Sequence, residues 1–114
     1  MKVGIVGSRH FAELARVEAY VEGLPRTARI VTGSASGVDA AATRAARRHG
    51  LSIQVLGASF EEARDQSVAI ARNQRLIDQC DVLVAFWDGA STGTRATVER
   101  ALDSGREVHV FLGK

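Results

Sequence analysis

Asp81-Val-Leu-Val-Ala-Phe-Trp-Asp-Gly-Ala-Ser-Thr-Gly-Thr94 changes character at its midpoint. Its first half is an almost unbroken apolar run, the pattern of a strand buried on both faces of a parallel sheet. Its second half, from Asp88 onward, is short, rich in hydroxyls and punctuated by Gly89 and Gly93. A helix is expected directly after Thr94, with Val98, Ala101 and Leu102 on its inner face and Ser104-Gly105 as its stop. Buried strand, Gly/Ser/Thr loop and helix N-terminus in succession favour an anion. The first N–H groups of a helix have no intrahelical acceptor, and the positive end of the helix dipole points the same way.

Working back toward the N-terminus, Gln66 to Gln79 reads as a helix in which Asn73 interrupts the apolar face of Ile70 and Ile77. A polar side chain there must find partners or destabilise by roughly 1–3 kcal/mol, so Asn73 is expected to tie strand-end loops together or to contact a ligand. Arg72, beside it, is a second candidate contact. Gly57 to Asp65 carries no clear pattern and reads as a loop, with room for one helical turn.

Leu51 to Leu56 alternates like an edge strand wet on one face, with Leu51, Ile53 and Val55 as its apolar set. Before it, Ala28 to Thr32 is a strand, Gly33-Ser-Ala-Ser-Gly37 a loop, and Val38 to His49 an alanine-rich helix. Ser36 with Asp39 three residues on has the spacing of a capping box. The same loop could bring backbone N–H groups to a phosphate and Asp39 to a ribose hydroxyl or a water. At the start of the chain Lys2 to Gly7 is a strand, Ser8-Arg9-His10 a turn, and Phe11 to Gly23 a helix. Arg9 is placed to pair with phosphate. The last strand is Glu107 to Leu112.

The order βαβαβαβαβ with short connections predicts a single Rossmann-like α/β domain over residues 1–114, a three-layer αβα sandwich around a five-stranded parallel sheet. In such sheets ligands sit beyond the carboxyl ends of the strands, where the strand order reverses. The loops after strands one, two and four are the ones filled with Gly, Ser, Thr and Arg. The candidate ligand-binding residues are therefore Gly7, Ser8, Arg9, Gly33, Ser34, Ser36, Gly37, Arg72, Asn73, Asp88, Gly89, Ser91, Thr92, Gly93 and Thr94. Asp39 and Asp88 are the carboxylates that any catalysis would use.

Composition narrows the function. The chain has 114 residues, 15 basic against 13 acidic, for a net charge of +2. That balance is too mild to argue for nucleic acid by charge alone, and the single Trp, single Tyr and four Phe leave few rings for base stacking. Cys80 is the only cysteine, which excludes an internal disulfide and a cysteine zinc site. His10, His49 and His109 are too dispersed to suggest a metal, and no cofactor is implied. The longest apolar run falls far short of the ~20 residues of a membrane span, so a cytoplasmic location is expected. The pattern lacks Gly-x-Gly-x-x-Gly after the first strand, a P-loop Lys and a Gly-x-Ser-x-Gly elbow. Self-association is expected for a chain this small, as a homodimer or higher oligomer. The stripe of Ala41, Ala42, Ala45 and Ala46 permits close approach to the sheet or to another chain.

Gly7-Ser-Arg9, Thr32-Gly-Ser-Ala-Ser-Gly-Val-Asp39, Arg72-Asn73 and Phe86-Trp-Asp-Gly-Ala-Ser-Thr-Gly-Thr94 together resemble the YspA core-domain family. That family is a branch of the SLOG (SMF/DprA–LOG) superfamily of Rossmann-like proteins, and the resemblance extends over nearly the whole chain. It implies a nucleotide or nucleotide-derived ligand at the strand ends, in a sensor or a processing protein. The LOG branch, nucleoside-monophosphate phosphoribohydrolases, offers a sharper comparison. Arg72 and Gly93-Thr94 match its phosphate-binding residues, whereas Thr97 stands where its catalytic Glu would be. Glu99, two residues on, lies about 200° further around the helix. An N-glycosidic hydrolase is thus the alternative to a binding module, and the single-strand DNA binding of the DprA branch is the third reading.

Overall fold

The computed structural model describes residues 1–57 and 66–113, with the backbone alone for residues 66–72. Nine elements alternate along the chain: β1 (Lys2–Gly7), α1 (Leu14–Glu22), β2 (Arg29–Gly33), α2 (Val38–Arg48), β3 (Ser52–Leu56), α3 (Gln66–Gln79), β4 (Val82–Trp87), α4 (Thr92–Asp103) and β5 (Glu107–Leu112). The strands form one parallel sheet in the order β3-β2-β1-β4-β5. The expected five-stranded Rossmann-like α/β architecture is the one observed.

Two apolar layers hold helices to the sheet. On one face Val3, Ile5, Ile30, Val82, Val84 and Phe86 meet Val17 and Val21 of α1 and the alanines of α2. On the other, Val6, Val31, Leu83 and Ala85 meet Leu76 and Ile77 of α3 and Ala101 of α4. The run Val82 to Phe86 is buried on both faces, as its pattern requires. The question left open for α2 is answered within the chain. Ala41, Ala42, Ala45 and Ala46 are all fully buried against α1 and the sheet, so that stripe is not an intermolecular face. Glu18 and Glu22 of α1 meet Arg44, Arg48 and His49 across the outer seam of the two helices. Exposed pairs of this kind contribute little each.

Several boundaries differ from expectation, each for a tertiary reason. α1 begins at Leu14, not Phe11. Phe11 instead turns into the core from the preceding loop, its N–H donating to the Ser8 carbonyl at 3.3 Å. β2 runs on through Gly33 because Gly33 pairs with Leu56 of β3. α2 is capped by Gly37 with no side-chain hydrogen bond, so the capping box of Ser36 and Asp39 does not form. α4 starts at Thr92, within the stretch read as loop, with Ser91 as its N-cap. Its inner face is Thr94, Thr97 and Ala101, and Leu102 is exposed. β3 lies at the sheet edge as expected, but Val55 is exposed rather than packed. The segment read as an undetermined loop lies, for residues 58–65, outside the described residues.

Candidate functional site

The sheet order reverses between β1 and β4, since β2 and β3 lie to one side of β1 and β4 and β5 to the other. Loops leaving the C-terminal ends of these strands diverge to opposite faces and leave a crevice. A cleft of about 590 Å³ opens there. One wall is the end of β1 and its turn, Gly7 to His10; another is Gly33, Ala35 and Asp39 around the start of α2. The third is the β4–α4 connection, Asp88 and Ala90 to Thr94, with Thr97 one turn deeper. Val6 and Leu76 supply apolar surface, and Asn73 of α3 joins them.

The β4–α4 turn is built by its own side chains. Asp88 Oδ1 accepts the N–H groups of Ala90 at 2.9 Å and Ser91 at 2.8 Å. Trp87 Nε1 donates to the Ser91 carbonyl at 2.9 Å, which places the ring over the turn, half-buried, and not in the core. Ser91 Oγ accepts from Thr94 N–H at 3.4 Å and contacts Thr94 Oγ1 at 3.2 Å. The Ser91 hydroxyl is therefore the N-cap that satisfies the third N–H of α4. Thr92 and Gly93 carry the first two N–H groups, which have no acceptor within a helix, and both residues line the cleft.

Ser8 links the β1 turn to this one. Its N–H donates to the Phe86 carbonyl at 3.1 Å, and its Oγ accepts from Asp88 N–H at 3.2 Å while the hydroxyl donates to the Asp88 carboxylate. The N–H groups of Ala90 and Ser91, reinforced by Ser8, hold the Asp88 carboxyl below its ordinary pKa of 3.8. Asp88 is thus ionised at neutral pH and unsuited to deliver a proton. A carboxylate whose folded-state pKa is depressed contributes stability that is present above its unfolded value and lost as pH falls through the folded one. Asp88→Ala is therefore expected to lower stability at neutral pH and to make the acid-side decline shallower than in wild type. Urea titrations across the acidic range read both effects.

On the α2 side the carboxylate of Asp39 is buried, and its Oδ2 accepts the Ala35 N–H at 3.3 Å. Gly33 makes the room: a Cβ there would lie 2.6 Å from Asp39 Oδ2. Arg9 and His10 are exposed at the rim, and Arg9 forms no ion pair among the described residues. A cation at the lip, two open N–H groups, hydroxyls of Ser8, Ser91, Thr92 and Thr94 and two carboxylates thus surround one small space. The set suits a ligand with an anionic end, a hydroxylated body and an apolar part.

Of the residues expected at a site, Gly7, Ser8, Arg9, Gly33, Asp39, Asn73, Asp88, Ser91, Thr92, Gly93 and Thr94 line the cleft. Ser34 and Ser36 do not; both are exposed on the loop beside it. Gly37 is absent because it sits beneath the Arg9 backbone. Gly89 is absent because it forms the exposed bend of the Asp88 turn, at φ +82°. The Arg72 side chain lies outside the described residues. Leu76 and Thr97 were missed as cleft residues, although each stands three positions after a recognised one, Asn73 and Thr94, on the same helical face. Thr97 donates its hydroxyl to the Gly93 carbonyl at 3.0 Å, and Glu99 pairs with Arg95 on the exposed side of α4. α4 therefore offers the cleft no carboxylate.

Among solved structures, the chain superposes on DNA processing protein A (DprA) from Streptococcus pneumoniae with a TM-score of 0.85 at 25% sequence identity. The fold is DprA-like. The match covers 99% of this chain and 50% of the DprA chain, so the present chain spans about half the length of that neighbour. The sequence matches no protein-family model and no curated protein. Structural likeness to DprA supports the SLOG superfamily at large; the narrower resemblance to the YspA branch rests on the motifs alone. Among the described residues no helix is long and apolar enough to cross a membrane.

Proposed function

We propose that the cleft binds a nucleotide or nucleotide derivative, its phosphate held at the N-terminus of α4 and by Arg9, and its sugar hydroxyls facing Asp39. The observation that carries this reading is the convergence of three strand-end loops on the first N–H groups of α4. The position is the one where doubly wound sheets place ligands, and the volume falls within the range of small-molecule sites, roughly 300–1,000 Å³. Binding without bond cleavage is favoured over the phosphoribohydrolase alternative. Asp88 is committed to the turn, and the α4 position that carries the acid in that branch is Thr97.

A thermal-shift screen against nucleoside mono-, di- and triphosphates, dinucleotides and cyclic nucleotides tests this, each mixture being analysed afterwards for free base. A ligand-specific rise in Tm without base release is expected. Release of base would make the protein a hydrolase, and no shift with any nucleotide would end the nucleotide reading.

Gly93→Val is the matching variant. A Cβ at Gly93 meets no atom within 4 Å and the residue does not adopt positive φ, so the fold should tolerate it, with stability within about 0.5 kcal/mol of wild type. The added side chain would stand where the phosphate approaches the N–H groups, and the ligand-induced shift should disappear. An undiminished shift in that variant would move the phosphate elsewhere.

The DprA neighbour is a DNA processing protein, which favours one second reading, a single-stranded polynucleotide lying across the cleft. It predicts oligonucleotide binding that weakens steeply with salt, whereas a mononucleotide site predicts little gain in affinity with oligonucleotide length.

A further inference from the structure

Among the described residues, three of the large apolar side chains left exposed gather at one side of the molecule: Leu102 at 58%, Val110 at 41% and Leu112 at 62%. β5 is an end strand of the sheet. The Gly113 N–H donates to the Trp87 carbonyl, so odd-numbered residues here turn their backbone groups toward β4. The even-numbered residues Val108, Val110 and Leu112 therefore turn theirs outward. Their side chains stand in register with Leu83, Ala85 and Trp87, on the face that carries α4. Edge strands ordinarily carry lysine, proline or a bulge that discourages pairing; Glu107 to Leu112 has neither residue.

We propose that β5 pairs antiparallel with β5 of a second copy of this chain, about a two-fold axis normal to the sheet, with Val110 opposite Val110 and Val108 opposite Leu112. Outward-facing groups pair only even residues with even, which leaves few registers. One centred on Val108 carries Leu112 beyond the paired strand. One centred on His109 sets that residue against its own copy and Leu112 against Arg106. The register centred on Val110 alone gives each outward apolar side chain an apolar partner, the condition that selects register in a sheet.

α4 identifies the occupant as a second copy and not an added peptide strand. α4 packs against β4 and β5 alike, so its axis lies over the gap between them. The two-fold brings the copy's α4 to the same face. With strands about 4.8 Å apart, the two helices stand half a spacing, one spacing and half a spacing from each other, about 10 Å in all. That is the distance at which helices pack side by side. Leu102, next after Val98 along one side of α4, then faces a helix. A lone strand would leave it in water. Arg16 already donates to the Leu112 carbonyl at 2.9 Å, and that oxygen keeps a second lone pair for the ladder.

Sedimentation equilibrium and engineered cross-links test the interface. The chain is expected at twice its 12.2 kDa mass, and Val110→Glu and Leu102→Glu should each return it to the monomer with an unchanged circular dichroism spectrum, since both sites are exposed. Residues exchanging both hydrogen bonds lie about 5.5 Å apart at Cα, within disulfide reach. Val110→Cys should therefore cross-link on oxidation and Val108→Cys should not, while the Val108→Cys, Leu112→Cys double variant should. Cys80 is buried and does not interfere. A monomer up to millimolar concentration, a dimer indifferent to both glutamates, or cross-linking by Val108→Cys in preference to Val110→Cys would each overturn the proposal.

Discussion

Gly37→Ala is expected to destabilise the protein by roughly 3 kcal/mol, through backbone strain and overpacking together. Gly37 adopts φ +80°, ψ −122°, a region essentially closed to residues with a Cβ. A Cβ there would also be driven into the backbone carbonyl of Arg9. A backbone atom cannot rotate aside as a side chain can, so either the β1 turn or the start of α2 must move. Both form walls of the cleft, and loss of stability should come with loss of ligand-induced stabilisation. Urea unfolding of Gly37→Ala beside Gly93→Ala separates this from a generic glycine effect. The Gly93 variant, with open space around its Cβ and ordinary φ, should be equal to wild type or slightly more stable. Equal stability of the two variants would show that the Arg9 contact yields easily.

The contrast between those two glycines also marks what could be read from the chain. Val82 to Phe86 is a run of five apolar residues with no polar interruption, and such a run has one stable home, between two helical layers. The helices α2 and α3 carry their own periodicity and ended within a residue of expectation. Glycine has no side chain, and its purpose is written in whatever approaches it. Gly33 and Gly37 sit in one five-residue loop, yet one clears space for a carboxylate on α2 and the other for the backbone after β1. Arg9 is remote in sequence, and Asp39, though only six residues from Gly33, reaches it through the turn between them, so local reading assigned both glycines to the ligand. Phe11 misled in the opposite way. Its spacing from Leu14 fits a helix, and only the aromatic cluster across the sheet draws it into the core before α1 begins. Among the cleft residues that were legible, Ser8, Asp88, Ser91 and Thr94 owe their positions to hydroxyls and a carboxylate that bond within a turn or between two strand ends that pair directly.

Phe86→Ala should produce the other large effect, about 3–5 kcal/mol of lost stability. Phe86 is 2% exposed. Its ring meets Phe11 edge-on at 5.9 Å, Tyr20 edge-on at 6.0 Å and Phe111 in a stack at 5.2 Å. Truncation removes three aromatic contacts at once, each worth about 0.5–1.5 kcal/mol beyond area, and leaves a void bounded by β1, β5 and α1 that rigid strands cannot collapse. Against a total stability of roughly 5–15 kcal/mol for a typical domain, that is about a fifth or more. Denaturant midpoints measure it, and Phe86→Leu, which keeps most of the volume, should lose markedly less. The consequence reaches the cleft, because the Phe86 carbonyl receives the Ser8 N–H and Ser8 in turn holds Asp88. A Phe86→Ala protein that remains folded should therefore bind more weakly than its residual stability alone would require. If binding persisted undiminished in such a variant, the Ser8–Asp88 bridge would be shown to stand on the two turns themselves, without support from the core beneath them.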